Sequence, residues 1–118
     1  MAREVSGKGK WGEDQATAFL ARNGFGIIER NYNTIVGEID IVAHKGGDLY
    51  FVEVKTRSAG PFANDLAVTR EKLRKFKKTM ARYCTERRVI NRGLIPASVM
   101  VIFDRTKKTV NFRFAVMY

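Results

Sequence analysis

Asp40, Glu53 and Lys55 are the residues whose types and spacing could do chemistry, because each stands in a run that should be burying apolar side chains: IDIVA for the first, LYFVEVK for the other two. Side chains along a strand alternate faces, so Leu49, Phe51, Glu53, Lys55 and Arg57 share one side while Tyr50, Val52, Val54 and Thr56 share the other. The first row passes from apolar to charged within a single strand. The two runs are joined by HKGG, a glycine pair suited to a tight hairpin, and a turn centred on Gly46-Gly47 sets Asp40 directly opposite Glu53 and Glu38 opposite Lys55. The Asp40 and Glu53 Cβ atoms are then expected about 4.5–5.5 Å apart on one face.

Two like charges so placed destabilise a sheet or share a proton, and a divalent cation removes the conflict. Mg²⁺ (or Mn²⁺) takes hard oxygen ligands, typically one or two carboxylates with waters and substrate phosphate completing the set. Lys55 adds a fixed positive charge able to orient a water or stabilise a phosphorane-like transition state. The constellation fits metal-dependent phosphodiester hydrolysis. Glu13 is a fourth candidate: counting back from Leu20, positions 13, 16, 17 and 20 share roughly one helical face, within reach of the same metal. Plainer readings stand beside these. Glu13 could simply complement a helix dipole, and Asp40 could form an ordinary ion pair with Lys55 or Arg57. Glu38 reads as a supporting partner, His44 as an exposed turn residue, Cys84 as core, and Trp11 as the anchor of a helix start.

The elements that must position these residues follow from periodicity. Ala16, Phe19, Leu20 and Asn23 at helical spacing, with Asn23-Gly24 as a stop, predict a helix over 11–23. GFGIIERNYN, VGEIDIVA and DLYFVEVKT predict three strands, and SAGPFAN a loop over 58–64. A second helix is expected from Asp65 to Arg87, with Leu73, Phe76, Met80, Tyr83 and Cys84 on one stripe. NRGLIP breaks the chain, and ASVMVIFD and TVNFRFAVMY predict two final strands. The order is α-β-β-β-α-β-β, an α/β architecture with helices flanking a mixed central sheet. Residues 1–118 read as one domain, with a mobile basic start over 1–10.

Charge points to the partner. Lys and Arg number 22 against 12 Asp and Glu, a formal net charge of +10, and residues 70 to 92 hold ten basic residues against Glu71 and Glu86. Solubility alone would account for a basic helix face, but a phosphate-backbone surface explains the concentration better, with Lys72, Lys75, Lys78 and Arg57 as the contacts. DNA is the expected partner. The single Cys84 can form no intramolecular disulfide and has no CxxC companion, so nothing demands an oxidising compartment. The first ten residues lack the apolar core of a signal peptide, and no later run is long enough to span a bilayer. A cytoplasmic location and no membrane partner are the expectations.

GEIDIVA, the hairpin and FVEVKTR resemble the PD-(D/E)xK nuclease signature in the form found in the small YraN-like family of uncharacterised bacterial proteins. The resemblance runs from Gly12-Glu13 to about Tyr83 and is strongest over residues 37 to 57. It implies a restriction-endonuclease-like fold and similarity to archaeal Holliday junction resolvases. By that resemblance Asp40 and Glu53 match the metal-binding acids, Lys55 the catalytic lysine and Glu13 the helix acid that completes the site. The motif's proline is replaced by Ile39. A Mg²⁺-dependent endonuclease of branched or otherwise structured DNA is the leading expectation. A noncatalytic nucleic-acid-binding module on the same fold is the alternative, and a basic ribosome- or nucleoid-associated protein a third reading. Symmetric resolution of a junction needs two sites, which implies a homodimer. TVNFRFAVMY at a sheet edge would offer Phe114, Val116 and Met117 to a second copy, or else be buried within its own domain; both placements stand open.

Overall fold

The computed structural model of the chain describes residues 7–60 and 68–118. Its elements are α1 (Gly7–Arg22), β1 (Gly26–Thr34), β2 (Gly37–Lys45), β3 (Asp48–Ser58), α2 (Arg70–Glu86), β4 (Gly93–Asp104) and β5 (Thr109–Val116), in the expected order. The strands form one sheet ordered β1-β2-β3-β4-β5. Neighbours are antiparallel except β3 and β4, which run parallel along the whole of β3. A parallel pair cannot be closed by a tight turn, and the crossover carries α2.

Each helix covers its own face. Ala16 and Leu20 of α1 pack with Ile41, Ala43, Val52, Val99 and Val101, whereas Met80 and Tyr83 of α2 pack with Tyr32, Ile39, Val42, Leu49 and Phe51. Leu49 and Phe51 alternate with Val52 along β3, so the two clusters lie on opposite sides of the sheet. This three-layer α/β arrangement is consistent with a restriction-endonuclease-like fold. The β2–β3 turn is as expected: Lys45 pairs with Asp48, and Gly46 and Gly47 between them take φ of 60° and 87°, the two positive values that a primed hairpin turn needs.

Three boundaries differ from expectation, each for a physical reason. α1 begins at Gly7, not Trp11; Gly7, Gly9 and Gly12 weaken its first turns, but propensity yields to packing, and Trp11 meets the Phe103 ring edge-on at 6.1 Å. Of the expected mobile start, residues 7–10 are therefore helical and 1–6 lie outside the described residues. α2 begins at Arg70, where the Thr69 Oγ1 accepts the Lys72 N–H and caps the helix. Val68 and Thr69 are not helical, and the expected start at Asp65 lies outside the described residues. β4 begins at Gly93 and runs through Pro96. The Pro96 carbonyl accepts the Met117 N–H, so its ring nitrogen also faces the β5 side, where the ladder starts only at Ala97. His44 lies in β2 opposite Leu49, not in the turn, and is exposed.

β5 is an edge strand. Phe112 stacks on Phe19 at 4.6 Å, Phe114 meets Phe25 and Tyr50 yet stays exposed with Val110, and Met117, just past the strand, is buried. Among the described residues no helix is long and apolar enough to cross a membrane.

α1 approaches β3 so closely that Gly12 faces Thr56, and a Cβ at position 12 would collide with the Thr56 Oγ1. Gly12→Ala is expected to cost about 1–3 kcal/mol in denaturant unfolding, as overpacking does. Adding Thr56→Ala should recover most of that loss, since the nearest atom left is the position-56 Cβ at 3.3 Å. Equal costs in the two backgrounds would refute the contact.

Candidate metal and nucleic-acid site

β2 pairs with β1 along almost its whole length and β3 pairs with β4 along all of its own, but β2 and β3 pair with each other only from Lys45 and Asp48 to Ile41 and Val52. The register is the one expected. The ladder nevertheless stops one pair short of Asp40 and Glu53, so the expected direct opposition of these two residues, and of Glu38 to Lys55, is replaced by a fork between separating strands. The cause lies in β1 and β2. Asn31 takes a positive φ of 56° between the Arg30–Ile41 and Tyr32–Ile39 pairs, and Ile41 and Ile39 belong to core clusters on opposite faces. Alternation therefore breaks at Asp40.

Asp40 is turned by this break toward β3, where its Oδ2 accepts the Val54 N–H at 2.7 Å. The carboxylate stands in for the strand carbonyl that the fork has removed, in a charge-assisted bond at a residue only 8% exposed. One acid is thus anchored to the peptide that follows the other. Glu53 keeps the face of Leu49 and Phe51, is half-buried, and lines a cavity of about 290 Å³ with Glu38, Lys72, Lys75, Phe76 and Thr79. Lys55, half-buried, and Arg57, exposed, follow Glu53 along the same face of β3. Lys78 lies exposed on α2 outside that cavity. Lys75 also lies 3.9 Å from Glu71, which mainly pairs with Arg74; hydrogen bonding from Arg74 holds the Glu71 carboxyl below its ordinary range.

Glu13 is placed elsewhere. It is buried in the middle of α1, 3% exposed, so the helix-dipole reading no longer applies. Its Oε1 accepts from the Arg30 Nε at 2.8 Å and the Asn31 Nδ2 at 3.0 Å, and it lines a separate cavity with Lys10, Arg30 and Asn31. Arg30 also reaches Asp14 at 2.6 Å. That hydrogen bond pulls the Asp14 carboxyl down; burial works against the Arg30 charge, but its bonds to Asp14 and Glu13 outweigh it and raise the guanidinium. Sequence reasoning missed Arg30. Its only signal was a lone arginine in IIERNY, a run otherwise read for Ile27 and Ile28.

A metal must be tested against this donor set. Among the described residues no three of His, Cys, Asp and Glu gather in a way that could hold an ion, so the set Asp40, Glu53 and Glu13 is not brought together. Asp40 and Glu53 are two hard carboxylates on the separating strands, and that number suits Mg²⁺, which keeps several waters and takes the rest of its shell from phosphate. The donors fit. α2 is held over them through a second network: the Tyr32 hydroxyl donates to Glu86, and burial followed by that bond pushes the Tyr32 hydroxyl up to about 12. Burial likewise raises the Cys84 thiol, which packs against the α2-side core.

A family model described as uncharacterised protein family UPF0102 matches residues 12–117. A UPF0102 protein of Dictyoglomus thermophilum is 35% identical over 109 residues, 92% of each chain. One of Syntrophomonas wolfei is 42% identical over 84 residues, 70% of each chain. A third, from Legionella pneumophila, is 35% identical over 102 residues, 86% of each chain.

Proposed function

The chain belongs to the UPF0102 family, and from its own side-chain geometry we propose that it is a metal-dependent endonuclease acting on DNA, with branched or structured DNA as the substrate class. The single observation that carries this reading is the fork. Two carboxylates, one clasped to the backbone beside the other, are followed by Lys55 on the face that looks toward a strongly basic helix. Asp40 and Glu53 would hold Mg²⁺ (or Mn²⁺). When bound, the ion supplies a Lewis acid for a phosphoryl oxygen and lowers the pKa of an attacking water. Lys55 contributes a fixed positive charge beside that water and the charge developing on phosphorus. Lys72 and Lys75, one and two turns into α2, place ammonium groups at the same cavity as Glu53 and hold the flanking phosphates, with Lys78 and Arg57 extending the track. Glu13 acts through Arg30 to fix α1 on β1, and does not touch substrate.

The deciding experiment is incubation of a labelled panel containing a four-way junction, a flap and a plain duplex, with Mg²⁺, Mn²⁺ or chelator. Divalent-dependent strand cleavage supports the reading; binding without cleavage under any ion would favour a noncatalytic module instead.

The basic helix carries a further expectation. Affinity for DNA should fall steeply with salt, with a log-log slope of about −0.9 per phosphate neutralised. Replacing Lys72, Lys75 and Lys78 together with alanine should flatten that slope by roughly two to three units. An unchanged slope would move the phosphate contacts off α2.

A further inference from the structure

The β1–β2 hairpin closes in a two-residue loop, with Thr34 paired to Gly37 and Ile35 and Val36 between them. Such loops favour Asn, Asp or Gly, because positive φ at both positions matches the twist of the strands. Neither Ile35 nor Val36 takes a positive φ. The loop is held by its neighbour: the Thr34 Oγ1 accepts the N–H groups of Val36 at 3.1 Å and Gly37 at 3.2 Å and donates to the Gly37 carbonyl at 2.9 Å. The loop's shape is therefore fixed without help from the tip side chains. Val36 lines the cavity that holds Glu53, Lys72 and Lys75 with about half its surface exposed, and Ile35 is 95% exposed. A β-branched apolar residue where a polar turn former would serve better breaks a local rule with no stabilising contact to show for it, and such departures collect at functional positions.

We infer that Ile35 is a wedge that enters the base stack of DNA at a weakened or branched step while α2 holds the adjoining phosphates. The inference rests on the nucleic-acid reading of the neighbouring site. Apolar side chains on minor-groove and architectural proteins insert between base steps and unstack them, and one well-fixed side chain is enough. Other occupants need more. A stable protein interface buries about 800 Å² per partner, and a lipid surface takes a broad apolar face; an isoleucine and a partly exposed valine on a narrow two-residue tip supply neither. Its position next to the basic start of α2 supplies what DNA requires, a charged hold on the backbone beside an apolar point.

The test is binding by the full chain, in chelator so that no cleavage intervenes, to a four-way junction and a plain duplex carrying 2-aminopurine next to the branch or at the matching step. The wild-type chain should raise 2-aminopurine emission on the junction. Ile35→Ser should abolish that rise and weaken junction binding about tenfold, leave duplex affinity unchanged, and be rescued by Ile35→Leu. Equal junction affinity and emission for wild type and Ile35→Ser, or no rise with wild type, would overturn the wedge alone. So would loss of self-association or vesicle binding in Ile35→Ser with DNA binding intact. A wild-type chain that binds none of these DNAs would overturn both the wedge and the nuclease reading.

Discussion

Glu53→Gln is expected to lower metal-dependent cleavage by about 10²–10³-fold or more, because one of the two carboxylates proposed to hold the ion loses its charge. Metal-free DNA binding should hold or strengthen, since an anion beside the phosphate track is removed. Asp40→Asn should lose cleavage to a similar degree yet fold normally, because its amide oxygen can still accept the Val54 N–H that the carboxylate accepts at 2.7 Å. Asp40→Ala differs: it leaves a part-buried N–H without this partner, at about 1 kcal/mol, on top of the lost activity. Single-turnover cleavage of a labelled junction, with thermal unfolding of the same samples, separates the two effects. An Asp40→Asn chain that cleaves at the wild-type rate would remove the fork from the chemistry.

Arg30→Met should have the largest effect on stability, about 3 kcal/mol, because it removes the counter-charge that the guanidinium sets 2.8 Å from the buried Glu13 carboxylate. The lower end of the range for broken buried pairs applies, since Arg30 is itself 32% exposed. The melting temperature should drop by about 10 °C or more. Glu13→Gln should be milder, as the amide can still accept from Arg30 and Asn31. It also tests the role of Glu13: a positioning acid whose charge is removed lowers melting temperature and leaves the metal dependence of cleavage in place. A catalytic ligand would instead show an unchanged melting temperature and a collapse in cleavage.

How far the site could be read from the chain depends on which forces are local. The β2–β3 register was legible because Gly46-Gly47 fixes the turn and Leu49, Phe51 and Val52 fix the faces, so a count outward from the glycines reaches Ile41 and Val52 correctly. One step further the count fails. Where two strands part is decided by what each pairs with on its other side, and neither the Asn31 backbone twist nor the demands of β1 and β4 is visible within IDIVA or FVEVK. The α2 stripe was legible at Leu73, Met80 and Tyr83, all buried. Thr79, 1% exposed, was not, because its hydroxyl is accommodated by bonding the Lys75 carbonyl within the helix while the helix presses on Gly37. Glu13 was correctly placed on the buried stripe of α1, but its partner lies 17 residues away on a strand, a separation at which no sequence pattern pairs an acid with a base.

The bond between Asp40 and the Val54 amide makes that one hydrogen atom a gauge of the site. From Asp48 to Val52 the amides of β3 are shielded by a β2 backbone partner or by the parallel β4 ladder, and their exchange with solvent reports the sheet as a whole. Val54 is shielded on the fork side by a titratable side chain, so its exchange rate and proton chemical shift respond to whatever that carboxylate is doing. Anything that draws the Asp40 oxygens toward an ion, a proton or a phosphate-bound water alters this amide first. The protein thus carries, in a position no label need occupy, a native spectroscopic readout of its own fork.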